Sequence, residues 1–319
     1  MTLARGRFAP TPSGALHVGS ARTALASALS AWSAGGRWML RVEDLDASRA
    51  RPGAVDAMLA DLRWLGLRWD EGPDAALPHA PYLQSQRGPL YRAALDALRD
   101  RGLVYPCACS RREVEEAARA PHAAEPVYPG TCRGLDPDAV FDRARALRRE
   151  VAWRFRCDPA ASRVTFVDRV VGERAEDVAR EVGDFVVFRG ETAAYQLAVV
   201  VDDITQAVTE VVRGDDLLGS TARQVLLYRA LGATAPTWAH VPLVLGDDGA
   251  RMAKRTGSMS VASLRERGVD PRGLLRALLE SLGAEPRDDP RAVARAWRIE
   301  DVPRAPWVWR EGALAQAGT

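Results

Sequence analysis

The 319-residue sequence contains no asparagine and a single lysine, Lys254, so that arginine supplies the other 43 of its 44 basic residues. A codon bias that replaced lysine by arginine wherever either would serve explains this composition. Arginine cannot replace lysine where a compact, mobile point charge is needed. Lys254 is therefore a candidate functional residue, and its survival by chance is the alternative.

Long apolar runs are also missing. No run of ~18 uncharged apolar residues is present, which excludes a membrane-spanning helix. Arg5 and Arg7 are not followed by an apolar stretch, so no secretory signal is visible and we expect a cytoplasmic protein. Four cysteines in such a chain argue against a disulfide framework. The net charge of +2 neither demands nor excludes nucleic acid, because a local basic face can bind phosphates.

The remaining patterns indicate an α/β protein of two domains, or of one catalytic domain with an insertion. Residues 5–10 are typical of a short strand, residues 19–34 of a helix and residues 37–42 of a second strand. This strand, turn, helix and strand form a βαβ opening, which predicts a parallel sheet. Further helices are predicted at 52–65, 87–101, 219–231, 260–267 and 272–283.

The middle of the chain has a different character. Residues 106–183 contain all four cysteines and show no βαβ period, which indicates an inserted subdomain. Within it, an arginine-rich helix is predicted near 138–149, and strands are predicted at 151–156 and 163–168. The parallel sheet is expected to resume at 184–189 and to continue through 195–201, 207–212 and 240–245.

Two segments have the composition of a phosphate site. The motif H-V-G-S starts at His17, where a turn feeds a helix whose first N–H groups and dipole attract anions. His17 can donate a hydrogen bond to a phosphate, and Gly19 lets a nucleotide approach the backbone. The glycine-flanked stretch R-M-A-K-R at 251–255 suits a mobile clamp on ATP phosphates. A surface histidine and a solvated charged loop are the alternatives.

Three cysteines, Cys107, Cys109 and Cys132, form the pattern C-x-C-x22-C. Thiolates suit Zn²⁺, which usually takes four ligands, so three cysteines leave one position open. His122 is a candidate for that position, and three unliganded buried thiols are the alternative. Cys157 lies outside the pattern and is predicted to be a small core residue.

Six stretches, in their order and spacing, resemble the class I glutamyl-tRNA synthetases up to about residue 285. They are R-F-A-P-T-P-S-G-A-L-H-V-G-S, L-R-V-E-D-L-D, Y-L-Q-S-Q-R, Y-Q-L-A-V-V-V-D-D, V-V-R-G-D-D-L-L and L-V-L-G-D-D-G-A-R-M-A-K-R. Full synthetases of this family append an anticodon-binding domain, for which this chain leaves no room. Within the family the sequence is therefore similar to the shortened glutamyl-queuosine tRNA(Asp) synthetase group.

The resemblance implies a class I synthetase-type, Rossmann-like α/β fold with a parallel sheet, an inserted zinc-containing subdomain and a short helical C-terminal part, without an anticodon-binding domain. The corresponding division gives the first half of the catalytic domain at 1–105, the inserted subdomain at 106–183, the second half at 184–245, the signature loop and helical part at 246–285, and a C-terminal tail at 286–319.

The implied activity is that of a ligase: ATP-dependent activation of L-glutamate to glutamyl-adenylate, then transfer to the queuosine base at the wobble position of tRNA(Asp). His17 and Lys254 are the implied catalytic residues. ATP, with Mg²⁺, is expected to meet His17, Gly19, Ser20, Met252, Lys254 and Arg255. The positions that match the glutamate-binding set are Arg7, Ala9, Thr11, Glu43, Tyr195 and Arg213.

Within that set, Glu43 is expected to bind the substrate ammonium, whereas Arg7 and Arg213 are expected to bind carboxylates. A salt bridge from Arg213 to Asp215 or Asp216 is the alternative for Arg213. Pairing of Glu43 with Arg41 is the alternative for Glu43.

In the queuosine-modifying group a tyrosine completes the metal site, which implies one structural zinc on Cys107, Cys109, Tyr128 and Cys132. The implied partners are ATP, L-glutamate and tRNA(Asp) bearing queuosine, with neither a membrane nor DNA among them. The side chains that are candidates for contacts with RNA phosphates are Arg111, Arg112, Arg143, Arg145, Arg148 and Arg149.

The sequence departs from the family pattern at three positions. The two signature motifs of the family correspond to H-V-G-S at 17–20 and to R-M-A-K-R at 251–255. Arg251 and Ala253 stand where the second signature usually has lysine and serine, and Ser20 replaces a histidine at the end of the first signature. We expect weaker ATP binding but an active enzyme. The rival hypotheses are a minimal synthetase that charges tRNA(Glu), a catalytically silent RNA- or amino-acid-binding paralogue, and a nucleotidyltransferase that uses another acid.

Overall fold

Six strands build the main sheet. The computed structural model describes residues 3–46, 51, 53–74, 78–117, 127–247, 249 and 260–310. All neighbouring strands of this sheet are parallel except the pair at one edge, Arg163–Asp168 and Gly172–Asp177, which is antiparallel. The sheet is therefore mixed and largely parallel, as the βαβ pattern predicts. In spatial order the strands are β2 (Arg37–Leu40), β1 (Arg5–Phe8), β9 (Glu210–Gly214), β10 (Thr237–Val241), β5 (Arg163–Asp168) and β6 (Gly172–Asp177).

The helix that connects β1 to β2 is α1 (Val18–Ser33), which lies against both strands. It is rich in alanine, and its side chains are buried on almost every face. Small side chains allow the helix backbone to pack closely on the sheet. The chain then turns at Gly36, where a Cβ atom would lie 2.3 Å from the carbonyl oxygen of Ala4 and only glycine fits. The helix predicted at 19–34 is confirmed.

A second sheet of four antiparallel strands lies beside the first. In spatial order its strands are β3 (Val104–Cys107), β4 (Ala152–Phe155), β7 (Phe185–Arg189) and β8 (Thr192–Ala193). The remaining described α-helices are α2 (Ala54–Trp64), α3 (Gly88–Asp100), α4 (Arg111–Ala117), α5 (Pro137–Ala146), α6 (Val178–Glu181), α7 (Tyr195–Thr205), α8 (Thr221–Ala230), α9 (Val261–Glu266), α10 (Pro271–Ser281) and α11 (Pro290–Ala294).

Two expectations about the sheet are wrong. Residues 184–189 do not resume the parallel sheet, because β7 pairs with β4 in the antiparallel sheet. Residues 195–201 are not a strand but belong to α7. Every residue from Leu197 to Val201 is apolar and buried, so no polar positions reveal the period of this segment. An unbroken apolar run does not distinguish a buried helix from a buried strand.

The predicted strand at 163–168 exists, but as β5 it joins the main sheet beside β10. The main sheet therefore recruits β5 and β6 from the region that the sequence assigns to the insertion. The domain boundaries proposed from the sequence stay predictions.

The described part of the C-terminal region completes the core beside α1. Strand β12 (Trp307–Val308) pairs in parallel with β11 (Val244–Leu245), which follows β10 closely. Trp297 and Trp309 are buried, and the Trp297 indole N–H donates to the carbonyl of Leu282 at 2.9 Å. Among the helices in the described ranges, none has the length and apolar character needed to span a bilayer.

Candidate functional site

The carboxyl ends of β1, β2, β9 and β10 meet at one edge of the main sheet. Ligands of open parallel sheets bind at this edge. Arg7 lies near the end of β1, Glu43 follows β2, Arg213 lies near the end of β9 and Tyr195 begins α7. The phenol of Tyr195 interacts electrostatically with Arg213, Glu43 and Arg7. The fold thus brings together four side chains that are far apart in the sequence.

The turn after β1 lies against the segment after β2. Ala9 and Thr11 are half-buried in this turn, and the N–H of Glu43 donates to the carbonyl of Pro10 at 3.0 Å. This bond fixes the backbone of Glu43 relative to β1. All six positions of the predicted glutamate set therefore belong to one edge of the sheet, and their roles stay a prediction.

One buried carboxylate, Asp203 of α7, holds two arginines of this edge. Its Oδ1 lies 2.7 Å from Arg41 Nη1 and 3.3 Å from Arg7 Nε, and its Oδ2 lies 3.5 Å from Arg7 Nη2. Burial alone raises the pKa of Asp203, but the Arg7 and Arg41 guanidinium groups outweigh it and hold the pKa below its ordinary value. Arg7 is therefore a fixed cation that already has a carboxylate partner.

The adjacent carboxylate, Asp202, is fully buried and binds side chains of a neighbouring segment. Arg87 Nε donates to its Oδ1 at 2.6 Å, the Tyr91 hydroxyl donates at 2.9 Å, and Gln84 Nε2 donates to its Oδ2 at 2.7 Å. Carboxylates in the last turns of a helix are unfavourable against the helix dipole, and the guanidinium groups offset this cost. Asp202 therefore fastens α7 to the start of α3.

Glu43 is the least firmly paired carboxylate of the site. Its side chain is 10% exposed, and its Oε1 lies 3.5 Å from Arg41 Nη2, whereas Arg41 approaches Asp203 more closely. Burial raises the pKa of Glu43, and the guanidinium groups of Arg41 and Arg7 oppose this rise only in part. The predicted alternative contact with Arg41 thus exists but is long. A cationic group of a ligand would stabilise the ionised form of Glu43.

Arg213 is buried but has no carboxylate partner among the described residues. Its guanidinium donates to His240 Nε2 at 2.9 Å, Gln224 Oε1 at 2.8 Å and Thr221 Oγ1 at 3.0 Å. The alternative of a salt bridge to Asp215 or Asp216 is therefore not formed. Burial lowers the pKa of Arg213, as expected for a desolvated cation without a paired anion.

The arginines at this edge are not all paired directly. Three of the four guanidinium groups contact carboxylates, whereas within the described ranges the guanidinium of Arg213 contacts only neutral groups. A ligand that carries one more negative than positive charge complements such a site. The guanidinium groups are those of Arg7, Arg41, Arg87 and Arg213, and the carboxylates are those of Glu43, Asp202 and Asp203.

The start of α1 lies beside this site. His17 is the N-cap residue of α1 and its side chain makes no capping bond. Helix geometry leaves the N–H groups of Val18, Gly19 and Ser20 without partners inside the helix. This arrangement suits an anionic ligand, and a phosphate is one such group.

Both described flanks of the second signature loop reach the same point. Ser260 forms a β-bridge with His17, and the N–H of Val261 donates to the carbonyl of Leu16 at 2.8 Å. On the other side, Val244 lies next to Gly19. The predicted ATP-binding residues Met252, Lys254 and Arg255 lie outside the described residues. The described residues Val244 and Ser260, on either side of that segment, both lie at the start of α1.

The three cysteines of the predicted metal site lie together. The Sγ atoms of Cys107, Cys109 and Cys132 are buried and within 4.8 Å of one another, and no disulfide joins them. The Tyr128 hydroxyl lies 3.4 Å from Cys107 Sγ and 3.9 Å from Cys109 Sγ. Thiolate ligands at about 2.3 Å from a tetrahedral zinc are about 3.8 Å apart. The Cys109–Cys132 separation of 3.6 Å fits that geometry, so these donors suit zinc.

Arg154 supports this cluster from β4. Its Nε donates to Cys107 Sγ at 3.3 Å, and its guanidinium carbon lies 3.6 Å from the centre of the Tyr128 ring. Burial raises the pKa of Cys107, but hydrogen bonds from Tyr128 and Arg154 bring it below the ordinary value. Cys157 lies apart, with its thiol donating to the carbonyl of Gly183, and His122 lies outside the described residues.

At least four of the six arginines suggested for RNA contact form ion pairs with described residues. Such exposed pairs contribute little to stability and can be exchanged for phosphate contacts. Their role in RNA binding stays a prediction. The pairs are Arg111 with Glu115, Arg143 and Arg149 with Glu113, and Arg145 with Asp142.

Several residues that shape the site have no role in the sequence analysis. Asp202 and Asp203 end an apolar run, and His240 is the only ionisable residue of β10. Ionisable side chains inside apolar segments must be paired when they are buried, and this is the signal that could have identified them. Asp168 has its side-chain partner 72 residues away, in another strand.

Comparisons with known proteins agree over most of the chain. Residues 4–302 match the family model described as tRNA synthetases class I (E and Q), catalytic domain. A protein of Symbiobacterium thermophilum named Glutamyl-Q tRNA(Asp) synthetase is 48% identical over 306 residues, covering 94% of this chain and 93% of that protein. Glutamate–tRNA ligase 1 of Halorhodospira halophila is 47% identical over 278 residues, covering 85% of this chain and 57% of the ligase.

A solved structure shows the same fold. The crystal structure of a glutamate tRNA ligase from Elizabethkingia meningosepticum in complex with its amino acid superposes with a TM-score of 0.85 at 26% identity. The superposition covers 99% of this chain and 69% of that chain. The resemblance therefore includes both sheets and the described C-terminal helices.

The cysteine cluster predicts a zinc content of about one ion per chain. Cys109→Ser is expected to lose most of the zinc, because serine is a poor substitute for a thiolate ligand. Cys157→Ser is the matched control, since Cys157 is buried but outside the cluster. Elemental analysis of purified protein gives the metal content, and thermal unfolding before and after chelation shows whether the metal is structural. Metal-free wild-type protein with unchanged stability would contradict this prediction.

Proposed function

Because the chain belongs to the family of class I tRNA synthetases for glutamate and glutamine, and is therefore an enzyme of the ligase type, we propose that it activates L-glutamate with ATP and transfers it to the queuosine base at the wobble position of tRNA(Asp). The observation that carries the choice of amino acid is the buried Arg213, which has no carboxylate partner among the described residues and lies in the same site as Glu43.

Glutamate matches the charges of this site. At neutral pH it carries two carboxylates and one ammonium group, so its net charge is −1, whereas glutamine is neutral. Glu43 binds the ammonium group and in return remains ionised. Arg213 binds the side-chain carboxylate, and Arg7, held by Asp203, orients the amino acid. Tyr195 is 36% exposed and lines the open side of the pocket.

Activation joins the α-carboxylate of glutamate to the α-phosphate of ATP. A carboxylate oxygen attacks the α-phosphorus, and the bond to the departing pyrophosphate breaks. The nucleophile is already ionised at neutral pH, so no general base is required. His17 and the N–H groups at the start of α1 bind the phosphates, and Lys254 stabilises the charge that develops on pyrophosphate. Mg²⁺ bound with ATP supplies further charge neutralisation.

The acceptor is proposed from the comparisons with curated relatives. The match spans 93% of the Symbiobacterium protein named Glutamyl-Q tRNA(Asp) synthetase and 94% of a second protein of that name from Nocardia farcinica. It spans only 57% of the Halorhodospira glutamate–tRNA ligase, although the identity is similar. That second similarity keeps transfer to tRNA(Glu) as the alternative. With a tRNA as its substrate, the enzyme is expected to act in the cytoplasm.

The metal cluster has a structural role in this proposal. Zinc bound by Cys107, Cys109, Tyr128 and Cys132 would cross-link β3 to the segment before α5 and would not contact the reacting groups. It fixes a part of the chain whose own hydrophobic core is small.

The first prediction concerns activation. Glutamate is expected to drive exchange of labelled pyrophosphate into ATP without any tRNA, because the residues of the amino-acid pocket all belong to this chain. Glutamine at equal concentration is expected to drive much less exchange, since it leaves Arg213 without a carboxylate. Lys254→Ala is the low-activity comparison. Its rate of pyrophosphate exchange is expected to fall ~10²-fold, which is the scale of one transition-state contact. Absence of glutamate-dependent exchange by folded wild-type protein would contradict the prediction.

The second prediction concerns the ATP phosphates. In Gly19→Ala the new methyl group meets Val244 Cβ at 3.5 Å, an ordinary contact, so the fold accepts it. The methyl group nevertheless occupies the surface where the phosphates approach. The KM for ATP is expected to rise ~10-fold, which is the scale of one weakened charged contact. The KM for glutamate is expected to stay unchanged. Gly273→Ala, in the first turn of α10 with open space around it, is the matched control. Equal ATP kinetics in the two variants would remove Gly19 from the phosphate site.

The third prediction concerns the acceptor. Labelled glutamate and ATP are offered with tRNA(Asp) carrying queuosine, the same tRNA without queuosine, and tRNA(Glu). Label is expected on the first tRNA alone, and removal of its 3′-terminal adenosine is expected to leave the labelling unchanged. Label on tRNA(Glu) that disappears with the terminal adenosine would instead show a 3′-charging synthetase. Activation without label on any of the three would show that the acceptor proposal is wrong.

A further inference from the structure

Three buried side chains form a line behind the amino-acid pocket. Asp168 ends β5, His240 lies in β10 and Arg213 lies in β9, so each of three adjacent strands contributes one. His240 Nδ1 lies 2.5 Å from Asp168 Oδ2, and Arg213 Nε lies 2.9 Å from His240 Nε2. None of the three is more than 4% exposed.

The hydrogen positions along this line follow from the acceptors. Asp168 Oδ1 accepts backbone N–H groups of Val170, Val171 and His240 at 3.0, 2.9 and 3.2 Å, so only Oδ2 faces the ring. Burial raises the pKa of Asp168, but His240 and the backbone donors reverse this and lower it, and burial lowers the pKa of His240. The carboxylate of Asp168 accepts a hydrogen bond from the Nδ1–H of His240. The Nε2 atom of His240 therefore carries a lone pair, which accepts from the Nε–H of Arg213.

The other acceptors around Arg213 are also uncharged. They are the amide oxygen of Gln224, the hydroxyl of Thr221 and the carbonyl of Leu217, the last at 3.1 Å. Within the described ranges, the guanidinium is thus oriented by neutral groups on Nε, Nη1 and Nη2, and the second hydrogen on Nη1 is left for a ligand. Arg7 in the same pocket differs, because Asp203 binds it directly.

We propose that Asp168 and His240 are positioning residues that determine specificity for an acid over its amide: Asp168 fixes the Nδ1–H tautomer of His240, and His240 then orients Arg213 without neutralising it. The proposal rests on the proposed glutamate site. A carboxylate in direct contact with Arg213 would orient it equally well but would cancel the charge that a substrate carboxylate needs. The imidazole ring separates the two charges and transmits only the orientation.

The tautomer is tested directly by NMR. The chain has four histidines, so imidazole nitrogen spectra of protein labelled with 15N-histidine are simple, and a His240→Gln variant assigns the signal of His240. Wild-type protein is expected to carry the hydrogen on Nδ1. In Asp168→Asn the backbone donors hold Oδ1, so the amide N–H₂ faces the ring and moves the hydrogen to Nε2, against the Nε–H of Arg213. An Nε2–H signal in the wild type would overturn the proposal.

Kinetics then test specificity. In Asp168→Asn the KM for glutamate in pyrophosphate exchange is expected to rise about 10- to 100-fold, the scale of a lost hydrogen bond to a charged group, while kcat changes less. The inhibition constant of glutamine is expected to change little, so the preference for glutamate falls by a similar factor. The KM for ATP is expected to stay the same.

Glu210→Gln is the matched control. Glu210, like Asp168, is a buried carboxylate. It lies in β9 at the end of the strand opposite to Arg213, and it binds Ser30 and Arg169. It is expected to lower stability without changing the preference for glutamate. A loss of preference in this variant equal to that in Asp168→Asn would show a general effect of destabilisation and overturn the proposal.

Two substitutions of His240 keep the test decisive if Asp168→Asn does not fold. Asparagine at 240 can retain the bond to Asp168 but not the bond to Arg213, whereas glutamine can present an oxygen to Arg213. The KM for glutamate is expected to rise more in His240→Asn than in His240→Gln. The reverse order, or no change in preference in any variant, would overturn the inference while wild-type activity upholds the proposed function. A wild type that does not activate glutamate would overturn both.

Discussion

The geometry of the site depends on one buried carboxylate, Asp203, shared by Arg7 and Arg41. Removing one partner of a buried pair typically costs about 3–5 kcal/mol, because the other charge is left uncompensated. Asp203 therefore prevents α7 from moving relative to β1 and β2, and Asp202 does the same toward the start of α3. Since Tyr195 begins the same helix, these bonds also fix the open side of the pocket.

The same sheet edge uses two different ways to bury an arginine. Arg7 is held by an ion pair, and Arg213 is held by neutral acceptors. The difference follows from strand order, because β9 lies between β1, which faces α7 and its carboxylates, and β10, which supplies an imidazole. Selectivity for an anion then depends on which buried cation is left without an anionic partner, and not on the number of arginines present.

The sequence predicts features whose determinants are local. Helix α1, strands β1 and β2 and the cysteine cluster all follow from patterns within about 30 residues or from short motifs. The segment at 195–201 was misassigned because its burial on every side removes the periodic signal. The partners that shape the pocket are more distant: Arg7 and Asp203 are 196 residues apart, and Asp168 and His240 are 72 apart. No linear pattern indicates such pairs, although an ionisable residue within an apolar segment indicates that some partner must exist.

The cysteine cluster and the candidate site are connected by a short path through the antiparallel sheet. Arg154 in β4 contacts Cys107 and Tyr128 on one side and donates to the carbonyl of Asp184 on the other at 2.8 Å. Asp184 directly precedes β7, and the N–H of Ala194 returns to the carbonyl of Val187 in that strand. Tyr195 is the next residue. The sheet that carries the cluster therefore positions the first residue of α7, while Asp202 and Asp203 position its other end. The cysteine cluster and the buried ion pairs thus constrain the same helix from opposite ends.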